Sequence, residues 1–208
     1  MIAIVDYGMG NLGSVAKGVE KVGGKTIVTS DPEKVAEADK VILPGVGAFG
    51  DAAKNLRDLR LIAPMLDAIK AGKPFLGICL GQQLLQDSSE ETPGSPPGLG
   101  VIPGTVKRFP TVMADGSRVK VPHIGWNQVE PGPAGDAVSA GVKPGTYFYF
   151  VHSYYVLPED DSTVALWCEY AGVRFAAMVA KDNVYGVQFH PEKSQAEGLA
   201  LLKRFVEL

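Results

Sequence analysis

The sequence predicts an α/β fold with a mostly parallel central sheet, helices on both faces and an added antiparallel portion. One observation is that strand-like and helix-like segments alternate over residues 2–85, as they do in parallel sheets. Another is that the early strand-like segments are short, unbroken apolar runs, which is typical of strands buried on both faces. After Asp87 strand-like stretches dominate. We expect a single domain over residues 1–208, with function at the carboxyl ends of the parallel strands.

The alternating half contains three short strands and several helices before its central strand. Strand-like runs cover residues 2–5, 26–29 and 41–43, and helical patterns cover residues 12–22, 51–56 and 61–69. Asp31-Pro32 opens a further short helix, because proline at an early helical position gives up no hydrogen bond.

Residues 73–85, KPFLGICLGQQLL, predict a strand, a sharp turn and a helix with Cys79 at the apex. The pattern G-x-C-x-G is the cysteine version of the nucleophile elbow. Gly77 and Gly81 are expected because side chains there would collide in so tight a turn. The unpaired N–H groups of the helix start favour a thiolate. The alternative is a buried structural cysteine, the commoner fate of this residue type, but the paired glycines favour the nucleophile.

The half after Asp87 begins with a turn-rich loop over residues 88–100. The strand-like stretches that follow cover residues 104–109, 119–121, 147–156, 164–170, 175–180 and 184–189. Asp182-Asn183 predicts a hairpin turn, and apolar spacing over residues 199–206 predicts a terminal helix.

His190-Pro191-Glu192 supplies the partners that a nucleophilic thiol needs. Proline keeps the preceding residue out of helical geometry, and residues two apart on an extended chain point the same way. Glu192 can then orient His190, which would take the thiol proton and return it to a leaving amine. A structural histidine is the alternative, but together with the elbow the pattern predicts a Cys79-His190-Glu192 triad.

Backbone donors for a developing oxyanion can be predicted as well. One is the N–H of Leu80, directly after the nucleophile. The other is expected from the Gly45-Val46-Gly47 turn, at Val46 or Gly47, where a peptide flanked by glycines could flip with little steric penalty. The alternative is an ordinary glycine-rich turn.

Composition excludes several functional classes. The net charge of −3 without a basic cluster argues against nucleic-acid binding. No apolar run reaches the ~18 residues of a membrane span, and the opening residues run straight into a strand, so we expect no leader. Two cysteines, Cys79 and a buried, inert Cys168, are too few for a disulfide framework. We expect a soluble cytoplasmic protein without cofactor or metal, since His123 and His152 lack zinc-ligand spacing.

The motifs resemble those of the class I (triad) glutamine amidotransferases. GICLG and HPE indicate the broad family, while PGVGAFG, HIGWN and FVHSYY are most similar to the glutaminase subunits of imidazole glycerol phosphate synthase, over essentially the whole chain. The resemblance implies a flavodoxin-like core. It also implies that Cys79 attacks the carboxamide of glutamine, that ammonia leaves, and that water cleaves the thioester to glutamate.

The resemblance further implies a partner and a set of substrate contacts. Ammonia would pass through a tunnel to a separate (β/α)₈ cyclase/synthase subunit in a heterodimer, completing imidazole glycerol phosphate and aminoimidazole carboxamide ribotide in histidine biosynthesis. The implied glutamine contacts are Gly47, Gln83, Ser153 and Tyr154, with Glu91 weaker. Gln83 lies one turn past the elbow, where an amide could bind the substrate; the alternative is plain helix surface.

A partner surface is implied at Asn11, Trp126 and Tyr149. A large aromatic beside glycine and asparagine suits an interface anchor, although a core Trp126 is an equal alternative from the sequence. Other functions stay open at this point: a glutaminase of the pyridoxal phosphate or purine pathway, a cysteine peptidase or thiol hydrolase, or a binding module. The PGVG loop and HIGWN argue against another pathway.

Overall fold

A nine-stranded sheet organises the computed structural model, which describes residues 1–92, 94, 96–113 and 115–208. The alternating half contains β1 (Ile2–Val5), α1 (Leu12–Lys21), β2 (Thr26–Thr29), α2 (Pro32–Glu37), β3 (Lys40–Gly45), α3 (Phe49–Asp58), α4 (Ile62–Lys70), β4 (Phe75–Cys79) and α5 (Leu80–Leu84). The remainder contains β5 (Ser88–Ser89), β6 (Gly104–Arg108), β7 (His123–Pro131), β8 (Thr146–His152), β9 (Tyr154–Pro158), β10 (Val164–Tyr170), β11 (Val173–Lys181), β12 (Val184–Val187) and α6 (Gln195–Glu207).

The strand order of the large sheet is β2-β1-β3-β4-β12-β11-β10-β7-β8. Pairing is parallel from β2 to β12 and antiparallel from β12 to β8, so the predicted fold class is confirmed. Strands β5, β6 and β9 form a second, small sheet. Strand β4 is central to the parallel half: Gly77 is aligned with Leu43 on one side and Gly186 on the other.

The core lies on both faces of the sheet because side chains alternate along each strand. On β3, Ile42 joins one apolar cluster with α1 and α6, whereas Leu43 joins the other with α3 and α4. Because these strands are covered on both faces, their sequences are the unbroken apolar runs described above. Among the described residues, no helix is both long and apolar enough to cross a bilayer.

Two predictions of secondary structure are wrong. Residues 119–121 form no strand, because the backbone there closes a local loop in which the Val119 N–H donates to the Thr111 carbonyl. The stretch 147–156 is two strands rather than one: β8 pairs with β7 in the large sheet, and β9 pairs with β6 in the small sheet. Ser153 lies at the break between them.

Strand β7, which contains the HIGWN motif, was not predicted as a strand. The loop predicted at residues 88–100 includes positions 93 and 95, which are outside the described residues, and its first two residues form β5.

Candidate active site

Cys79 ends the central strand in a strained turn. Its φ of 55° lies in the left-handed region that residues with a side chain rarely adopt, and α5 begins at the next residue. The turn is tight because glycines flank it: a Cβ on Gly77 would lie 2.6 Å from the carbonyl oxygen of Gly81, and one on Gly81 would collide with the carbonyl oxygen of Leu43. The steric reason predicted for both glycines is therefore confirmed.

The Cys79 side chain reaches a cavity of about 280 Å³ at the carboxyl end of the parallel strands. The lining consists of Val46, Gly47, Cys79, Leu80, Gln83, Glu91, Val151, His152, Ser153, Tyr154 and His190. Every residue predicted to contact glutamine is in this set, as are the predicted oxyanion donors. Glu91 reaches the cavity from beyond β5, and its Oε2 accepts a hydrogen bond from the Phe49 N–H at 2.6 Å.

His190 and Glu192 form a buried pair beside the thiol. Nδ1 of His190 lies 2.9 Å from Oε1 of Glu192, and the two side chains are 3% and 1% exposed. His190 is extended, as predicted for the residue before a proline. The predicted extended chain through Glu192 is wrong: β12 ends at Val187, and Glu192 belongs to a 3-10 turn over Pro191–Lys193. The tight turn brings the carboxylate back onto the ring.

The charge on His190 is set by competing effects. Burial alone would lower the pKa of His190, but hydrogen bonding and charge from Cys79 and Glu192 outweigh it and raise the pKa to about 9. Cys79 and His190 line the same cavity, and Cys79 is near enough to raise the pKa of the ring. The imidazolium is therefore the form present at neutral pH, poised to donate a proton.

Ser194 holds the backbone of His190 in place and was missed in the sequence. Its buried hydroxyl donates to the His190 carbonyl at 2.7 Å and accepts from the Tyr149 N–H at 3.0 Å. The His190 N–H donates to the Tyr149 carbonyl at 2.9 Å. The sequence feature that could have indicated this role is the serine at the end of the HPEKS motif, directly before a helix. These bonds tie the histidine directly to strand β8.

Two buried side-chain amides, Gln83 and Gln188, form a chain that ends at the sulfur of Cys79. Gln83 is only 5% exposed, so the helix-surface alternative is wrong. Its Nε2 donates to the Tyr154 carbonyl and to Oε1 of Gln188, both at 3.1 Å, and Nε2 of Gln188 lies 3.6 Å from Sγ of Cys79. Gln188 was also missed, although a glutamine inside an apolar run two residues before His190 was a usable signal.

The glycine-rich turn after β3 begins next to the nucleophile, because Gly45 is aligned with Cys79 in the sheet. Gly47 has a φ of +99°, and Val46 is 45% exposed. Gly45 packs so closely against Tyr7 and Leu80 that a Cβ would collide with the Tyr7 hydroxyl. Burial, reinforced by the charge of Cys79, raises the pKa of that buried hydroxyl. Steric crowding thus requires a glycine at position 45.

The residues predicted to meet a partner lie on the surface. Trp126 is 45% exposed, so the core alternative is wrong, and its ring meets Tyr149 edge-on with centroids 6.0 Å apart. Asn11 caps α1, its side-chain oxygen accepting from the Ser14 N–H at 3.4 Å.

His123 and His152 meet inside the protein. Nδ1 of His123 is 3.0 Å from Nε2 of His152, and burial lowers their pKa values to about 4 and about 3. Both rings are neutral at pH 7. In the described part of the chain, no group of three or more His, Cys, Asp or Glu side chains is arranged to hold a metal ion. Cys168 is buried as predicted, and burial raises its pKa to about 12.

A thiol on a strained strand-to-helix turn, beside a histidine held by a carboxylate, is suited to nucleophilic attack on a carbonyl carbon. The cavity is large enough for a small substrate, and Glu91 places a carboxylate on its wall. The chemistry that fits is acyl transfer through a thioester.

Comparison with known proteins places this geometry in a family. The family model for glutamine amidotransferase class I matches residues 3–208. The imidazole glycerol phosphate synthase subunit HisH of Geobacter sulfurreducens is 54% identical, covering 100% of this chain and 98% of that protein. The HisH subunit of Syntrophotalea carbinolica is 53% identical, with 100% of each chain covered.

Solved structures agree on the fold. A crystal structure of a glutamine amidotransferase superposes with a TM-score of 0.72 at 19% identity, covering 100% of this chain and 98% of that one. The PurLQS structure from Thermotoga maritima gives a TM-score of 0.73 at 19% identity, covering 99% and 97%. At that identity the likeness shows the shared fold alone.

Proposed function

The chain belongs to the class I glutamine amidotransferases, and on that premise we propose that it is the glutaminase subunit of an imidazole glycerol phosphate synthase. In that role it hydrolyses glutamine to glutamate and ammonia for histidine biosynthesis, in the cytoplasm. The observation that carries the proposal is the convergence of Cys79 with the buried His190–Glu192 pair at one cavity. The HisH relatives, more than half identical over the whole chain, support the choice of pathway.

The proposed reaction begins with attack of the Cys79 sulfur on the carboxamide carbon of glutamine. The C=O pair moves onto oxygen, where the N–H groups of Leu80 and of Val46 or Gly47 stabilise the negative charge. His190 then gives its proton to the nitrogen as the C–N bond breaks, so that ammonia leaves and a glutamyl thioester remains. A raised pKa suits His190 to this acid role at neutral pH.

The second half of the reaction returns the enzyme to its starting state. Neutral His190 takes a proton from water, which attacks the thioester carbon. Glutamate leaves, and the Cys79 sulfur and the imidazolium are restored. Glu192 holds the ring throughout by its 2.9 Å contact.

Recognition of glutamine is assigned to the cavity wall. Among the lining residues, Glu91 has the carboxylate that would bind the substrate ammonium. Gly47, Ser153 and Tyr154 supply the other contacts with the substrate. Gln83 contributes its side-chain oxygen, since its nitrogen is already engaged within the protein.

The partner in this proposal is a (β/α)₈ cyclase/synthase subunit that receives ammonia through a tunnel within a heterodimer. The exposed ring of Trp126, the partly buried ring of Tyr149 that it meets edge-on, and Asn11 form the proposed docking surface. Aromatic side chains of this kind are common binding hot spots. The Tyr149 backbone is hydrogen-bonded to His190 and to the Ser194 hydroxyl, so a partner docked on Tyr149 would lie close to the catalytic histidine.

The test is glutamine hydrolysis by the chain alone and with the synthase subunit and its nucleotide ligand. We expect slow glutamate release alone and a large rise with the liganded partner. Cys79→Ala should abolish release in both conditions while complex formation persists, because only the nucleophile is lost. Full-rate hydrolysis without the partner would contradict gating, and peptide cleavage without glutaminase activity would contradict the proposal.

A further inference from the structure

The side-chain amide of Gln188 points at the reacting sulfur. Its Nε2 lies 3.6 Å from Sγ of Cys79, within the range of an N–H···S hydrogen bond. Gln188 is fully buried, so bulk water does not compete for its amide. The triad and the proposed glutamine contacts do not include this residue, which leaves a buried polar group at the sulfur with no assigned role.

The orientation of this amide follows from its neighbours. The carbonyl of Tyr154 can only accept, so Gln83 must present its NH₂ group there, at 3.1 Å. The same nitrogen is 3.1 Å from Gln188, and two NH₂ groups cannot hydrogen-bond, so the Gln188 atom facing it is Oε1. The NH₂ group of Gln188 is thereby turned toward Cys79.

The backbone fixes the same arrangement. The Gln188 N–H donates to the Ala177 carbonyl at 2.8 Å, which extends the pairing of β12 with β11 beyond the end of the strand. Sγ of Cys79 also faces the Val151 carbonyl at 4.0 Å, a group that can accept from a thiol but offers nothing to a thiolate. A donor on the sulfur therefore favours the ionised form against this carbonyl.

We infer that Gln188 is a further catalytic residue, whose amide hydrogen bond stabilises the Cys79 thiolate, and that Gln83 positions this amide. A hydrogen bond to an ionised acceptor is roughly twice as strong as a neutral one. The link to turnover rests on the proposed thioester chemistry, whereas the bond to sulfur can be tested without glutamine.

The experiment is alkylation of the full chain by iodoacetamide as a function of pH, with the modified peptide identified by mass spectrometry. Buried Cys168 is read separately in the same digest. Gln188→Glu keeps an oxygen for Gln83 but presents a second acceptor to the sulfur, and Gln188→Met keeps the volume without a donor. Both should alkylate Cys79 about tenfold more slowly at neutral pH, with the pH profile moved to higher pH.

Gln82→Met is the matched control. Gln82 is fully buried on α5, next to Gln83. Its Nε2 donates to the Ala176 carbonyl at 3.0 Å, and the residue is not part of the cavity lining. The Gln82→Met variant should be less stable but should keep the wild-type alkylation profile of Cys79. Unchanged alkylation in both Gln188 variants would overturn the inference, and so would an equal loss in Gln82→Met.

A second measurement needs no substitution at Gln188. In NMR spectra the side-chain amide signal of Gln188 should move when Cys79→Ala removes the sulfur, while that of Gln82 stays in place. An unmoved Gln188 signal would overturn the inference even if its variants failed to fold. Slower alkylation of the Gln188 variants in a chain that hydrolyses no glutamine would refute the proposed function and leave the Gln188–Cys79 bond standing.

Discussion

Burial and the neighbours of His190 act on its pKa in opposite directions. Its ring is removed from water, which disfavours the charge, and yet its pKa is raised to about 9. The carboxylate of Glu192, at 2.9 Å, and the nearby sulfur of Cys79 supply the compensation. The same two contacts that keep the ring charged also aim it, so geometry and protonation depend on one another.

Glu192→Gln tests this dependence at the residue scale. The amide keeps the shape but removes the negative charge, so burial should drive the pKa of His190 below about 9, and glutamine hydrolysis should fall by roughly 10²-fold or more. NMR titration of the ring measures the pKa, and a glutamate assay measures turnover. A variant with an unchanged His190 titration would show that the carboxylate does not hold the charge.

Strands β7 and β8 connect the surface to the site at the scale of elements. Trp126 on β7 is aligned with Tyr149 on β8. The Tyr149 carbonyl accepts from the His190 N–H, and the Tyr149 N–H donates to the Ser194 hydroxyl. The same strand pair therefore presents the exposed Trp126 to solvent and holds the backbone of His190 through Tyr149. A partner that shifts this strand pair would shift His190 with it.

Trp126→Ala should weaken docking to the synthase subunit by roughly 30-fold, as expected for an aromatic hot spot, with little effect on folding because the side chain is 45% exposed. Titration by calorimetry measures the affinity, and urea unfolding measures stability. Val112→Ala, which trims another exposed apolar side chain elsewhere, is the control. An unchanged affinity of Trp126→Ala for the synthase subunit would show that the surface around Trp126 is not the docking surface.

Helix α1 packs closely against Glu192 at a glycine. A Cβ on Gly18 would lie 3.2 Å from Cβ of Glu192 and 3.2 Å from Cδ1 of Leu202, whereas a Cβ on Gly13 of the same helix would meet nothing within 4 Å. Gly13→Ala should therefore stabilise the chain by about 0.5–1 kcal/mol through helix propensity. Gly18→Ala should gain less, or lose stability, and lower the turnover several-fold by displacing Glu192.

Urea unfolding and glutamate release of the two alanine variants measure these effects side by side. An equal gain in stability at both positions, with full activity, would show that α1 does not constrain the carboxylate.

The histidines set the pH dependence of the whole molecule. His123 and His152 have folded pKa values of about 4 and about 3, below the ordinary value of about 6.5, so the unfolded chain binds more protons as the pH falls below 6.5. Their contribution is present above pH 6.5 and is lost toward pH 4. His190, raised to about 9, contributes stability below pH 6.5 that is lost as the pH rises through 9.

Stability should therefore be highest near pH 6.5 and fall on both sides, by on the order of 5 kcal/mol toward pH 4. Urea midpoints measured from about pH 4 to about pH 9 give the curve. His123→Gln should flatten the acid limb, because one buried group that must ionise is gone. A midpoint that rises continuously toward acid pH would contradict this account.

Local patterns determined a large part of this protein. The alternation of strands and helices predicted the parallel half because each short apolar run is covered on both faces. The paired glycines around Cys79 predicted the elbow for a steric reason that the backbone bears out at Gly77 and Gly81. The five glutamine contacts that the family resemblance implies all line one cavity.

Tertiary structure decided what local patterns leave open. The continuous apolar stretch around Ser153 cannot show that its two halves pair with different neighbours, because strand pairing depends on edges supplied by distant segments. The contacts of Gln188 with Cys79 and of Ser194 with Tyr149 join residues 109 and 45 positions apart. A side chain's partners across such distances depend on how the sheets fold together, so only the assembled molecule identifies them.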